Sequence, residues 1–267
     1  MFRQERQEKI LQYINTHKSV KVQELAEAFK TSVVTIRSDI TELDSNGLVV
    51  KVHGGAIAIT DRYNFEIPSR SKARQSNHAK RVIGQLAAEI IEENDIIILD
   101  SGTTTLEVAK AIRNKCVTVI TNDLQIGAML AAGNRGNLTL IITGGTVTPF
   151  TYTLSGVDTL NFLKRLRVNK LFLGCDAIDP KRGISNRTLI EADIKSVLIE
   201  AADMVIAVVD STKHNKEVFT HVCDIDKIDV LVTDKISKNN LEQFRKAGVS
   251  VVLPANVEAG VKGVSYD

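Results

Sequence analysis

From residue 79 onward the chain alternates between two kinds of apolar pattern, and no other feature restricts its fold as much. Short apolar runs that suit buried strands fall at 96–100, 117–121, 138–142, 169–174, 203–209, 229–232 and 249–253. Between them, at 104–113, 123–132, 156–165, 188–201 and 238–247, apolar residues recur at helical spacing. A further amphipathic stretch with Val82, Ile83, Leu86, Ala87, Ile90 and Ile91 leads into the first strand. Such alternation requires right-handed crossovers and predicts a mostly parallel sheet covered by helices on both faces. Composition fits that design. Hydrophobic residues make up 43% of the 267, only 4% are aromatic and Trp is absent, so the core is aliphatic.

Ligands of parallel α/β sheets bind beyond the carboxyl ends of the strands. In this sequence those ends carry short polar clusters. Asp100-Ser101-Gly102-Thr103-Thr104 follows the first strand, Thr121-Asn122-Asp123 the second and Thr143-Gly144-Gly145-Thr146 the third. Gly174-Cys175-Asp176-Ala177 follows the fourth and Asp210-Ser211-Thr212-Lys213 the fifth. Each cluster alone suits a turn or a helix cap, which favour the same residue types. Five that converge on one sheet edge predict a pocket for a small molecule.

The first cluster indicates which kind of molecule. A strand, a tight turn and a helix start leave the first helix amides without intrahelical acceptors at the positive end of the helix dipole, and Gly102 lets backbone approach a ligand. Ser101, Gly102, Thr103 and Thr104 are therefore expected to hold a phosphate. The pattern matches neither the nucleotide P-loop nor the dinucleotide fingerprint, which favours a small phosphorylated ligand. Asn122, Asp123 and Asp176 suit sugar hydroxyls, Gly144 and Gly145 belong to the same rim, and Lys195 and Lys213 can neutralise the anion. Lys195 has a second reading, as a solvated residue pairing with Glu191 four positions earlier on its helix.

The front of the chain is a different object. Ile10, Leu11 and Ile14 mark a helix from about Arg3 to His17-Lys18, and Val22, Leu25, Ala26 and Phe29 mark a short second one. Ser32 caps a third, in which Ile36, Ile40 and Leu43 face inward and Asn46-Gly47 ends the helix. Two helices joined by a tight turn are what a helix-turn-helix requires. Residues 48–53 and 56–59, turned by Gly54-Gly55, predict a hairpin wing. Thr35, Ser38 and Thr41 are expected to face outward with Val34 and Arg37 on the flanks, at the end of the helix that enters a major groove. Ser32, Val34, Thr35, Arg37, Ser38, and Lys51 and His53 of the wing are the expected DNA contacts.

Charge and cysteines narrow the class. Residues 1–60 carry a net charge of +1, residues 61–82 of +4 and the remainder of −3, which suits a nucleic-acid module joined to a sensor or an enzyme. Cys116, Cys175 and Cys223 form no CxxC pair and are odd in number, against a disulfide framework or a zinc site. No metal or cofactor is expected. The N-terminus has no apolar signal region and no apolar run nears the ~20 residues that span a bilayer, so the cytoplasm is the expected compartment.

Residues 3–58 resemble the DNA-binding domain of the DeoR family of bacterial transcriptional regulators. Arg6-Gln7-Glu8-Lys9-Ile10, Val22-Gln23-Glu24-Leu25-Ala26, Ser32 through Ile40 with Leu43, and His53-Gly54-Gly55-Ala56 carry the likeness. Residues 80–233 resemble the sensor domain of the same family, through Asp100 to Thr104, Thr121-Asn122, Gly144-Gly145, residues 172–178, Gly183-Ile184-Ser185 and Asp210 to Lys213. The resemblance implies a winged helix-turn-helix at 1–59, a linker at 60–78, and at 79–267 an α/β domain of the ribose-5-phosphate isomerase/CoA transferase-like type that binds a sugar phosphate. It further implies double-stranded operator DNA and a phosphorylated sugar as partners; a second copy of the chain (dimer or tetramer) is expected because two linked reading heads fit palindromic half-sites, and no membrane is expected because no apolar run is long enough to span one.

The rival is a sugar-phosphate isomerase with a DNA-binding appendage. Moving a proton between adjacent carbons needs a carboxylate base. Isomerases of this fold place Glu directly after Asp and carry a Lys-Gly-Gly segment; here Ala177 follows Asp176, and residues 185–189 read Ser-Asn-Arg-Thr-Leu. A repressor of carbohydrate use is the favoured expectation and no catalytic residue is assigned.

Overall fold

The computed structural model describes residues 3–45, 48–58, 69, 72, 76–112, 115–133, 137–148 and 151–255. The chain divides into two compact units, Met1–Gln75 and Ser76–Asp267. Most of the stretch expected as a linker lies outside the described residues, as do Asn46-Gly47 and Ile59.

In the front unit α1 (Arg3–His17), α2 (Val22–Ala28) and α3 (Val33–Ser45) enclose a core of Ile10, Ile14, Leu25, Ile36, Ile40 and Leu43. Ser32 begins α3 as expected, its Oγ accepting the Thr35 amide at 3.1 Å. β2 (Val49–Val52) and β3 (Gly55–Ala58) form the antiparallel wing. A third strand, β1 (Ser19–Lys21), pairs with β3 and was not expected. It explains Gly55, where a Cβ would stand 2.2 Å from the Val20 carbonyl oxygen. α1 is fastened to α3 by Arg6, which donates to the fully buried Asp39 carboxylate at 2.6 and 3.1 Å.

The second unit begins with α4 (Asn77–Glu89) and β4 (Ile96–Leu99), then α5 (Thr103–Ala111), β5 (Val117–Thr121), α6 (Leu124–Gly133) and β6 (Leu138–Ile142). A two-stranded turn of β7 (Thr146–Val147) and β8 (Leu154–Ser155) leads to α7 (Val157–Leu163) and β9 (Val168–Leu173). The ribbon strands β10 (Ala177–Asp179) and β11 (Gly183–Asn186) precede α8 (Leu189–Ala201) and β12 (Ala202–Val208). β13 (Thr220–Cys223), β14 (Val230–Val232), α9 (Lys238–Lys246) and β15 (Ser250–Val252) complete the described part.

Seven of these strands form one parallel sheet in the order β15-β14-β12-β9-β4-β5-β6. Side chains alternate across it. Ile98, Leu171, Leu173, Val205 and Ala207 face Leu163, Leu198 and Phe244 of α7, α8 and α9. Ile97, Leu99, Phe172, Ile206 and Val208 face Ile83, Val108 and Ile126 of α4, α5 and α6. Both faces are buried, which is why the strands read in sequence as unbroken apolar runs. The chain lays down β4, β5 and β6 in one direction, then returns to the other side of β4 and lays down β9, β12, β14 and β15 in the opposite one. The reversal falls between β4 and β9, and in sheets of this kind ligands bind beyond the carboxyl ends of the strands at such a point.

Candidate functional site

Two residues stand where the strand order reverses, Asp100 after β4 and Gly174 after β9. Asp100 is fully buried, and its Oδ2 accepts the Gly174 amide at 3.0 Å and the Lys195 ammonium. Lys195 reaches in from α8 and is only 3% exposed, so the solvated-pair reading fails. Burial drags the Lys195 pKa down, but Asp100 and Glu191 outweigh it and the value ends above that of an ordinary lysine. The ammonium therefore stays charged inside the domain. Glu191 is buried too, and accepts from the Asn186 carboxamide at 2.8 Å.

The turn after Asp100 is built as the sequence predicts. Gly102 stands at φ +142°, in the region that favours glycine, and begins α5. Its carbonyl accepts the Thr105 hydroxyl at 2.8 Å. The amides of Thr103 and Thr104 open the helix and have no acceptor among the described residues. The hydroxyl side chains of both are buried, whereas Ser101 and Gly102 are partly exposed. The Gly102 amide is engaged: it donates to Asp123 Oδ2 at 3.1 Å.

Asp123 is a strut rather than an open acceptor. Its Oδ1 takes the Gln125 and Ile126 amides at 2.7 and 3.1 Å, which caps α6, while Oδ2 holds the turn at Gly102. Burial pushes its pKa up, and the three backbone amides only partly reverse this. Asn122 is 1% exposed, and among the described residues neither atom of its carboxamide has a partner. Asp176 faces the ribbon, accepting the Arg187 amide at 3.3 Å and the Asn186 carboxamide at 3.5 Å. Lys213 donates to the Cys175 carbonyl at 2.6 Å. Burial lifts the Cys175 thiol to about 12 although Lys213 and Lys195 oppose it, so the thiol stays protonated.

One chain of contacts thus joins Lys195, Asp100 and the turn to Asp123, and a second joins Glu191 and Asn186 to Asp176. Gly144 and Gly145 stand elsewhere on the rim. Gly144 accepts the Thr159 hydroxyl at 2.8 Å, and a Cβ on Gly145 would lie 2.1 Å from the same hydroxyl, so this turn is fitted to α7. Asn186 and Arg187 were not foreseen as site residues; no local pattern marks them, because the ribbon that delivers them is itself short and irregular.

On the front unit α3 presents Ser32, Val34, Arg37 and Ser38 as exposed residues, and His53 is exposed at the tip of the wing. Thr35 lies half-buried, because its hydroxyl and amide are both bonded to the Ser32 hydroxyl. Lys51 donates to Thr41 on α3 at 2.7 Å, which holds the wing against the helix. Among the described residues no group of His, Cys, Asp and Glu side chains could hold a metal ion, and no helix is long and apolar enough to cross a membrane.

A winged helix with an exposed third helix, ahead of a parallel sheet with polar clusters at its strand ends, defines a DNA-binding regulator with its own sensor. The model of the DeoR-like helix-turn-helix domain matches residues 6–62, and that of the DeoR C terminal sensor domain matches residues 75–235. The chain belongs to the DeoR family of transcriptional regulators. It is 34% identical, over 93% of both chains, to a protein of Escherichia coli O157:H7 named for repression of the aga operon. It is 30% identical to the transcriptional regulator GolR of Listeria innocua, over 94% of this chain and 98% of that one. The lactose phosphotransferase system repressor of Staphylococcus aureus is 27% identical, over 92% and 97%. Among solved structures, ribose 5-phosphate isomerase from Methanocaldococcus jannaschii aligns at a TM-score of 0.39 with 13% identity, over 52% of this chain and 55% of that one. A likeness so distant carries no functional argument. The relatives are regulators, and this chain is a regulator rather than an enzyme.

Proposed function

We propose that the chain represses an operon of carbohydrate use, binds operator DNA as a dimer or tetramer in the cytoplasm, and is released when a phosphorylated sugar fills the crevice of its second unit. The observation that carries this reading is the turn at Ser101–Thr104. Two helix amides that have no acceptor among the described residues and a partly exposed Ser-Gly step lie directly after Asp100, which is locked to the charged Lys195. A dianionic phosphate satisfies those amides, and the nearby ammonium favours its charge. The crevice residues Asn122, Asp176 and Lys213 are assigned to the sugar side of the ligand, with Asp123 as the post that holds the turn. Ser32, Val34, Thr35, Arg37, Ser38, Lys51 and His53 are assigned to the DNA side. A relative named as the lactose phosphotransferase system repressor supports the carbohydrate class. Two linked reading heads suit the two half-sites of a palindrome.

A thermal-shift screen of sugar phosphates, the matching free sugars and inorganic phosphate tests the pocket. A specific ligand at 100 times its Kd stabilises the folded unit by about 2.7 kcal/mol. Stabilisation by a sugar phosphate but not by its free sugar supports the assignment. A unit that no phosphorylated compound of the screen stabilises overturns it.

A further inference from the structure

The outward face of α3 carries a side chain that folding does not explain. Val34 is 75% exposed, more than any other large apolar residue described, while Ile36, Ile40 and Leu43 fill the buried stripe of the same helix. One turn on, and on the same face, stands Arg37. It is exposed, and its guanidinium makes no hydrogen bond or ion pair among the described residues. The acids of its own helix are committed elsewhere: Asp39 to Arg6, Glu42 to Arg3 and Gln7, Asp44 to the Lys51 amide. The hydroxyls of Ser32 and Thr35 are bonded to each other. At the leading end of the helix this leaves one branched alkyl group and one uncommitted guanidinium side by side.

The major groove has one complement for each. Its only apolar feature is the C5 methyl of thymine, and the bidentate partner of a guanidinium there is O6 and N7 of guanine. Three residues of helix advance about 4.5 Å, and base pairs are stacked about 3.4 Å apart, so the two side chains meet base pairs one or two steps apart. We infer that Val34 and Arg37 are the specificity-determining pair, reading a thymine methyl and a guanine at adjacent or next-adjacent positions of each half-site. The inference rests on the proposed reading of the front unit as the DNA-binding head.

The test uses the full chain and a duplex enriched by it from a random-sequence library. Each thymine is replaced by uracil, which removes only the methyl, and each guanine by 7-deazaguanine, which removes only N7. One T→U replacement is expected to weaken binding roughly 3- to 5-fold, the worth of one buried methyl. That penalty vanishes in Val34→Ala, which is expected to melt as the parent does because the position is exposed. One 7-deazaguanine, a step or two away, weakens binding by roughly 5-fold or more, and this penalty vanishes in Arg37→Ala. A T→U penalty that persists in Val34→Ala overturns the inference while leaving the head a DNA reader. Failure to enrich any sequence overturns the DNA reading itself, and the inference with it.

Discussion

Replacing Lys195 with Met removes the ammonium paired with the buried Asp100 carboxylate and leaves that carboxylate the Gly174 amide. Breaking a buried ion pair at one end costs about 3–5 kcal/mol, because an uncompensated charge remains in the interior. For a unit of this size 1 kcal/mol moves the melting temperature by about 2–4 °C, so the sensor unit of Lys195→Met should melt roughly 6–20 °C lower. The double variant Asp100→Asn, Lys195→Met removes both charges and keeps an acceptor for the Gly174 amide. It should recover most of the loss, to within about 2 kcal/mol of the parent. Calorimetric melts of parent, both singles and the double, without phosphate in the buffer, measure the coupling. The Lys195 pKa is raised on folding, so its stabilisation is complete below the pKa of an unfolded lysine and is lost only as the pH climbs through the higher folded value. The penalty of Lys195→Met should therefore be flat between about pH 6 and 9. A single variant that melts within about 2 °C of the parent, or a double variant as unstable as the single, refutes the buried-pair reasoning.

Arg6→Ala should lower the melting of the front unit alone, by about 3–5 kcal/mol, because Asp39 is fully buried and loses its bidentate partner; two resolved transitions in a calorimetric scan show which unit moved. Gly84→Ala sets a Cβ 2.6 Å from the Glu107 carbonyl carbon, so α4 and α5 must part. It should destabilise the sensor unit by about 1–3 kcal/mol in urea, and a neutral result would mean that the helices yield without cost. Burial lowers the His214 pKa against the pull of Asp234 and Asp210. Its stabilisation is therefore present above about pH 6.5 and falls away as the pH drops through the depressed value, so the acid side of the sensor unit's pH–stability curve should flatten in His214→Gln.

The parallel sheet was legible because its strands, buried on both faces, appear in sequence as apolar runs bounded by turns. Val168–Leu173 and Ala202–Val208 are of this kind, and each expected strand lies within a residue or two of the observed one. β1, β7, β8, β10, β11 and β13 were not read, since antiparallel pieces of two to four residues are held by their partners and carry no period of their own. In the site, Lys195 and Glu191 show the limit of local pattern. The same i, i+4 spacing serves a solvated pair and a buried one, and only the sheet edge above α8 decides which it is. Asp123 shows another: caps and sugar ligands draw on the same residue types, so a carboxylate that holds two turns together has the sequence signature of a ligand. Thr35 was expected outward by periodicity, but it sits at the first turn of α3, where its amide and hydroxyl turn back to Ser32.

The central claim is a linkage between the crevice and the groove-reading helix. Linkage demands that the ligand bind the DNA-released arrangement more tightly than the DNA-bound one. It is measured most directly by fluorescence anisotropy of a labelled operator duplex with the full chain, titrated with sugar phosphates, the matching free sugars and inorganic phosphate. The account predicts that one phosphorylated sugar weakens operator binding about tenfold or more, a coupling of about 1.4 kcal/mol, while its unphosphorylated form does not. An operator affinity that no phosphorylated sugar alters would contradict it.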